Sequence, residues 1–154
     1  MTRSPFSARS PQHVVVVGGG PAAHRFAEAV LSVEDHHVRL TVFADEPWVP
    51  YDRVQLSKAL TGPDGQIDLT LGGGTVWQDP RVDLRQGVAA REIDPAARTV
   101  TAADGTVSGY DELVLATGSA AARLDIPGAQ HALVFRTLDD VAAIRAEVKR
   151  LRAR

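Results

Sequence analysis

Residues 13–23 read HVVVVGGGPAA, an apolar run that leads directly into three glycines. His13–Val17 is continuous and β-branched, which is typical of a parallel strand covered on both faces. Ala22–Leu31 then carries apolar residues at helical spacing. Val38–Ala44 is a second apolar segment of strand length. The order strand, glycine turn, helix, strand predicts a βαβ unit, and therefore an α/β, Rossmann-like fold with a parallel sheet.

The glycine turn has the spacing Gly18-x-Gly20-x-x-Ala23. In such a turn the first glycine permits a tight bend and the second lets the backbone approach a pyrophosphate, while the third position needs a small side chain for packing. The N–H groups and dipole of the following helix favour phosphate. Asp45 and Glu46 end the second strand, where an acceptor for ribose hydroxyls belongs. This context predicts dinucleotide binding rather than an ordinary glycine turn.

Short strands dominate the chain after residue 81. The Asp104-Gly105 pair is a strong hairpin signal between two of them. We expect strands at Val82–Leu84, Val88–Ile93, Thr99–Thr101, Glu112–Ala116 and Ala132–Phe135. The pattern predicts an antiparallel β-meander added to the parallel sheet.

Two further helices and one turn are expected. Asp52–Leu60 fits a short helix that ends at Gly62-Pro63. Thr137, with Asp140 three residues later, resembles a capping box and predicts a helix from there to the end of the chain. Gly72–Gly74 predicts a turn rather than a second phosphate loop, because no amphipathic helical pattern follows it.

Composition excludes several classes of protein. The chain has 154 residues, 44% hydrophobic and 23% charged, which is the size and composition of one globular domain. It contains no cysteine, so this chain itself cannot carry a disulfide, a catalytic thiolate or a Cys-ligated iron–sulfur cluster. No apolar run approaches the roughly 20 residues of a membrane span.

Charge is unevenly distributed. The last ten residues carry five basic groups and one acid, whereas the rest carries 12 basic and 18 acidic groups. An acidic body argues against nucleic-acid binding. The basic residues at the end of the chain are better explained as the solvated face of a terminal helix than as a nucleic-acid contact. Residues 1–12 lack the apolar stretch of a secretory signal, so a cytoplasmic protein is expected.

The five histidines do not predict a metal site, because none shows the spacing of convergent ligands. His24, Arg25 and Glu28 lie off the apolar face of the first helix. His24 follows the glycine turn closely, but we expect it to pack or to face solvent rather than to contact phosphate.

Two further segments do not indicate a particular function by themselves. Arg53 and Lys58 lie five residues apart, and their spacing alone favours surface charge on a short helix. Leu113–Gly118 alone is a buried strand followed by a small-residue turn. Together with the glycine turn, they become informative.

The chain resembles the FAD-binding half of the pyridine-nucleotide-dependent flavoprotein reductases. Three signatures of that family stand in order: Val17–Ala23, the Pro-Tyr-Asp-Arg-x-x-Leu-Ser-Lys segment at 50–58, and Leu115–Gly118. The resemblance runs from His13 almost to the end. It implies that FAD is held by Gly18, Gly19, Gly20, Pro21, Ala22, Ala23, Asp45, Glu46, Arg53, Lys58, Ala90, Ala116, Thr117 and Gly118.

The resemblance also implies a role for each group. The glycine turn would flank the pyrophosphate, and Asp45 or Glu46 would hold the adenosine ribose. Arg53 and Lys58 would reach the phosphates and the flavin edge. A backbone group near Ala90 would touch the adenine, and residues 116–118 would lie against the middle of the cofactor. No catalytic side chain is implied, since the flavin carries the redox chemistry.

Within the family, the chain is most similar to the large subunit of NAD(P)H-dependent nitrite reductase. The similarity lies in His24-Arg25-Phe26, in residues 51–57 and in residues 135–140. Ferredoxin- and rubredoxin-type reductases usually show a proline pair where this chain has Val54-Gln55, and they are the next most similar group.

The resemblance implies the following organisation: residues 1–12 form an arm, 13–136 an incomplete FAD-binding domain, and 137–154 a helix leading toward an absent NAD(P)H-binding domain. Electrons would pass from NAD(P)H through FAD to a downstream centre. Sirohaem and an iron–sulfur cluster would belong only to the full-length enzyme, and this chain alone is expected to be inactive. The alternatives are a ferredoxin or rubredoxin reductase domain, a non-catalytic dinucleotide-binding module and an NAD-dependent dehydrogenase domain.

Overall fold

The structure is a computed structural model that describes residues 11–33, 37–62 and 67–153. The chain divides into two compact units, one from residues 1–50 and 72–117 and the other from residues 51–71 and 118–154. No helix in the described part of the chain is long and apolar enough to cross a membrane.

The first unit is built on a four-stranded sheet of β1 (Gln12–Val17), β2 (Val38–Ala44), β3 (Val82–Gln86) and β7 (Glu112–Leu115). The strand order across this sheet is β3-β2-β1-β7. All three pairings are parallel. Parallel strands end at the same edge of a sheet, so the turns after β1, β2 and β7 are placed together.

Helix α1 (Pro21–Ser32) covers one face of this sheet. Its buried Ala23 and Ala27 pack against Val14, Val16, Leu40 and Val42. Small side chains let the helix approach the strands closely, as the third position of the glycine motif requires. Val76 and Trp77, from the short helical segment Leu71–Gln78, complete this core.

A three-stranded antiparallel sheet covers the other face. It consists of β4 (Ala90–Asp94), β5 (Thr99–Ala102) and β6 (Val107–Gly109). Val100 and Ala102 pack against Val15, Val17 and Phe43. The Ala102 amide donates to the Thr106 carbonyl at 2.8 Å across Asp104-Gly105, which confirms the predicted hairpin.

The second unit contains α2 (Leu56–Thr61) and α3 (Leu138–Arg152), preceded by a 3₁₀ turn at Arg53–Gln55. Tyr51, Leu56, Ala59, Leu69 and Val141 form its core. The predicted capping box is present: the Asp140 amide donates to the Thr137 hydroxyl at 3.1 Å, and the Asp140 carboxylate accepts from the Thr137 amide at 2.8 Å. Arg145 donates to the carbonyls of Leu60 and Gly62, which joins α3 to the end of α2.

The α/β class, the parallel sheet and the meander are confirmed, but three details differ from the sequence predictions. Residues 132–135 do not form a strand and belong to neither described sheet, and Leu133 and Phe135 are 53% and 45% exposed. β3 joins the parallel sheet instead of opening the meander. β4 begins at Ala90 rather than Val88, because the Val88 amide is bonded to the Ala44 carbonyl. Residues 1–10 and Pro63 lie outside the described residues.

Candidate functional site

The turn after β1 is fixed by its neighbours on both sides. The Gly18 amide donates to the Phe43 carbonyl at 2.9 Å, and the Ala116 amide donates to the Val17 carbonyl at 2.8 Å. Gly18 has a φ of +115°, and a Cβ built there would lie 2.2 Å from the Ala116 carbonyl oxygen. Only glycine fits this position, because a side chain would meet both backbone strain and a rigid carbonyl.

The other two glycines differ sharply in their surroundings. A Cβ at Gly19 would lie 2.3 Å from the Ala44 Cβ, so this glycine serves the close approach of the turn to β2. A Cβ at Gly20 would meet no atom of the described residues within 4 Å. Its φ of −99° and ψ of −172° suit any residue. Packing against the described residues therefore does not call for glycine at position 20, and the open space beside it is available to a ligand.

The first turn of α1 has backbone donors to offer. Gly20 is the N-cap, Pro21 occupies the start of the helix, and no side chain in the described residues caps the helix. The first turn also lacks an acidic residue. Helix α3 is the opposite case, because Thr137 caps it and Asp139 and Asp140 stand in its first turn. The start of α1 thus presents amides and the positive end of the helix dipole to an anion.

A pocket of about 130 Å³ lies at the ends of β1 and β2, beside Gly18. Four residues predicted from the sequence line it: Gly18, Asp45, Ala90 and Thr117. They come from four separate segments of the first unit, which the parallel sheet and the meander bring together. Val17, Phe43 and Ala89 complete the lining and were not predicted. Val17 and Phe43 are register partners at the ends of neighbouring strands, and this pairing was the signal that could have found them.

Asp45 and Glu46 are distinguished by the structure. Asp45 is exposed and lines the pocket. Glu46 is not among the pocket residues; its carbonyl accepts from the Gly87 amide at 3.0 Å. Of the two acids that the sequence left open, Asp45 lines the pocket and Glu46 does not.

Ala22 and Pro21 are exposed at the start of α1, whereas Ala23 is fully buried. Ala116 is half-buried, and its carbonyl faces Gly18. Among the described residues no cluster of His, Asp or Glu side chains could hold a metal ion.

Arg53, Lys58 and Gly118 belong to the second unit. The Arg53 guanidinium lies 5.3 Å from the centre of the Tyr51 ring and donates to the Arg136 carbonyl at 3.3 Å. The Tyr51 hydroxyl accepts from the Leu138 amide at 3.1 Å. Arg53 is therefore held against the start of α3, and its position depends on that of Tyr51.

Lys58 is part of a small polar network on the same segment. Its ammonium group donates to the Gln55 side chain at 2.6 Å, and Gln55 in turn donates to Asp52 at 2.7 Å. This bond from Gln55, helped by the Val54 and Gln55 amides and by Lys58, holds the pKa of Asp52 below its ordinary value. Asp52 therefore stays ionised and caps the 3₁₀ turn by accepting from the Val54 amide at 2.9 Å.

Comparison with known proteins covers almost the whole chain. The family described as pyridine nucleotide-disulphide oxidoreductase matches residues 12–153. The ferredoxin reductase component of chlorobenzene dioxygenase from Cupriavidus sp. (strain PS12) is 35% identical over 84% of this chain and 32% of its own length. The NAD(P)H nitrite reductase of Bacillus subtilis (strain 168) is 34% identical over 90% of this chain and 17% of its own.

Solved structures share the fold. The ferredoxin reductase for the CYP199A2 system from Rhodopseudomonas palustris superposes with a TM-score of 0.76 at 29% identity, covering 88% of this chain and 34% of its own. The chain therefore spans about a third of the reductases and less than a fifth of the nitrite reductase that it matches.

Proposed function

The chain belongs to the pyridine nucleotide-disulphide oxidoreductase family, and from that premise we propose that it forms the FAD-binding part of an NAD(P)H-dependent flavoprotein reductase. The observation that carries the proposal is the convergence of Gly18, Asp45, Ala90 and Thr117 on one pocket. These residues stand next to a helix start whose amides lack a side-chain cap in the described residues.

The residues fit the ADP half of FAD. Gly20 leaves open the space that a Cβ would occupy, beside the uncapped first turn of α1. A pyrophosphate there would accept hydrogen bonds from backbone amides and gain from the helix dipole. Asp45 supplies an acceptor for ribose hydroxyls, and the backbone near Ala90 borders the same pocket. Each part of the adenosine diphosphate group thus has a partner of the right chemistry.

The second unit is proposed to contribute cations. Arg53 and Lys58 are the candidates for the phosphates and the flavin edge, and Gly118 for the middle of the cofactor. This proposal is supported by two contacts that fix the Arg53 guanidinium: it lies over the Tyr51 ring and donates to the Arg136 carbonyl. When bound, FAD supplies the two-electron and one-electron redox chemistry, and this chain's residues bind and orient it.

We further propose that residues 13–136 form the FAD-binding region, with 137–154 leading toward an NAD(P)H-binding domain of a longer parent protein. Nitrite reductase is the preferred parent, on the strength of His24-Arg25-Phe26 and residues 51–57 and 135–140. A ferredoxin reductase is the second candidate, because the dioxygenase reductase component is as similar to the chain as the nitrite reductase is. Sirohaem and an iron–sulfur cluster would have to be bound outside this cysteine-free chain.

Reconstitution tests the proposal directly. The purified chain is mixed with FAD, free flavin is removed, and the retained flavin absorbance is measured for wild type and for Gly20→Val. We expect wild type to retain flavin and the variant to lose it. A wild-type chain that does not take up FAD would instead indicate a non-catalytic module. Uptake of NAD in preference to FAD would indicate a dehydrogenase domain.

A further inference from the structure

A second pocket of the first unit lies at the other end of the parallel strands, away from the pocket proposed for FAD. Its volume is about 360 Å³. Its polar lining comes from the starts of β1, β2 and β3 and from the residue before β3: His13, Arg39, Thr41, Arg81 and Asp83. The proposed function uses none of these side chains.

The alternation of side chains along the strands explains why this pocket is polar. Val15 and Phe43 pack against the meander. Because successive side chains of a strand point to opposite faces, His13 shares the face of Val15. Arg39 and Thr41 likewise share the face of Phe43. His13 and Arg39 are also register partners on neighbouring strands, so their side chains stand next to each other at the start of the sheet.

The imidazole of His13 is held at one of its two nitrogens. His13 Nε2 lies 2.9 Å from the hydroxyl of Thr41, which is only 6% exposed. The His13 amide donates to the Asp111 carboxylate at 2.7 Å, which fixes the backbone at this point. A hydroxyl can donate to Nε2, so Nδ1 can carry the ring hydrogen and donate it to a ligand.

Two other charges of the pocket already have partners. The Arg81 guanidinium donates to Asp79 through Nε at 3.0 Å and through Nη2 at 2.8 Å. The Asp83 carboxylate accepts from Arg85 Nε at 2.9 Å. Arg39 is exposed and makes no hydrogen bond or ion pair with any residue that the structure describes. The pocket thus combines an available guanidinium with a fixed imidazole.

We propose that this pocket binds the phosphate group of a small phosphorylated molecule. The Arg39 guanidinium offers two parallel N–H donors, which match two oxygens of a phosphate or a carboxylate. A phosphate has a further oxygen for His13 Nδ1, which a carboxylate lacks, so two neighbouring strands can hold the same group. A phosphate ion fills only part of 360 Å³, and the remaining space receives the organic part of the ligand.

Titration of the full chain, followed by its amide NMR resonances, tests the proposal. The probes are glycerol phosphate, inorganic phosphate and glycerol. We expect glycerol phosphate to shift the resonances of His13, Arg39 and Thr41 and to bind more tightly than inorganic phosphate, and glycerol to leave them unchanged. Arg39→Gln should weaken glycerol phosphate binding about tenfold or more, since it removes charge-assisted bonds. Arg91→Gln removes an exposed arginine from β4 and is the matched control, which should bind as wild type does.

Four results would overturn the proposal. Absence of these shifts would show that the pocket does not take a phosphate. Equal weakening by Arg39→Gln and Arg91→Gln would show a general attraction between charges. Equal affinity for inorganic phosphate and glycerol phosphate would show that the organic group is not recognised. Loss of binding in Gly20→Val would place the phosphate at the start of α1; the proposal expects that variant to bind glycerol phosphate normally, whether or not the chain takes up FAD.

Discussion

Replacing Gly20 by valine should separate ligand binding from folding. A Cβ at Gly20 meets no described atom within 4 Å, and its backbone dihedrals suit any residue. Loss of the N-cap glycine lowers the free energy of unfolding, whereas the reduced entropy of the unfolded chain raises it. We therefore expect the free energy of unfolding to change by less than about 1 kcal/mol.

The same substitution should strongly weaken FAD binding. The valine side chain would occupy the space proposed for the pyrophosphate. Loss of even one charge-assisted hydrogen bond costs about 1.5–3 kcal/mol, so affinity should fall about 10- to 100-fold or more.

Gly18→Val provides the matched control. Position 18 combines a φ of +115° with a Cβ placement 2.2 Å from the Ala116 oxygen. Backbone strain of about 1–2 kcal/mol and overpacking of about 1–3 kcal/mol add up to roughly 2–5 kcal/mol of destabilisation. Urea unfolding of both variants and FAD titration of Gly20→Val are the assays. The reasoning is refuted if Gly20→Val unfolds as easily as Gly18→Val, or if it binds FAD as tightly as wild type.

Three further predictions concern single side chains. Asp45→Ala should lower FAD affinity about 10- to 100-fold through loss of a charge-assisted acceptor, whereas Glu46→Ala should change it little. If titration shows instead that Glu46→Ala lowers the affinity more than Asp45→Ala does, the ribose acceptor is Glu46. Tyr51→Phe should cost about 1 kcal/mol in urea unfolding by removing the acceptor of the Leu138 amide; an unchanged midpoint would show that this bond contributes nothing. Partial burial opposes ionisation of Asp140, but bonds from Thr137 and Arg136 outweigh it and lower its pKa. Its stabilisation is therefore present above pH 3.8, the ordinary pKa of an aspartate, and is lost as the pH falls through the lower pKa of the folded state. Asp140→Asn should remove that acid dependence, and an unaltered acid transition would contradict the assignment.

Local sequence rules predicted the parts of the fold that depend on neighbouring residues. The βαβ unit, the Asp104-Gly105 hairpin and the Thr137 capping box each follow from a short sequence pattern, because the interactions that stabilise them form between residues of that pattern. The βαβ pattern alone brought Gly18 and Asp45 to one predicted site, whereas Ala90 and Thr117 were added only through the family resemblance. Spacing alone does not say which turn faces which strand.

The errors arose where distant segments decide the outcome. Residues 132–135 have strand character, yet a strand needs a partner that the local sequence does not specify. Helical periodicity placed His24 off the apolar face and left packing and solvent exposure both open, and it is Trp77 that buries the ring in the folded chain. Distant segments also decide the packing of the glycine turn: a Cβ would clash with Ala116 at Gly18 and with Ala44 at Gly19, whereas a Cβ at Gly20 would meet no described atom within 4 Å.

Calorimetric titration of the chain with ADP and with FMN tests the central claim most directly. The pocket and the helix start of the first unit are proposed to recognise the adenosine diphosphate half of FAD, which ADP carries and FMN lacks. We predict that ADP binds with an affinity similar to that of FAD and that FMN binds poorly. Tight FMN binding without ADP binding would contradict the account, since it would place the recognised group at the flavin end.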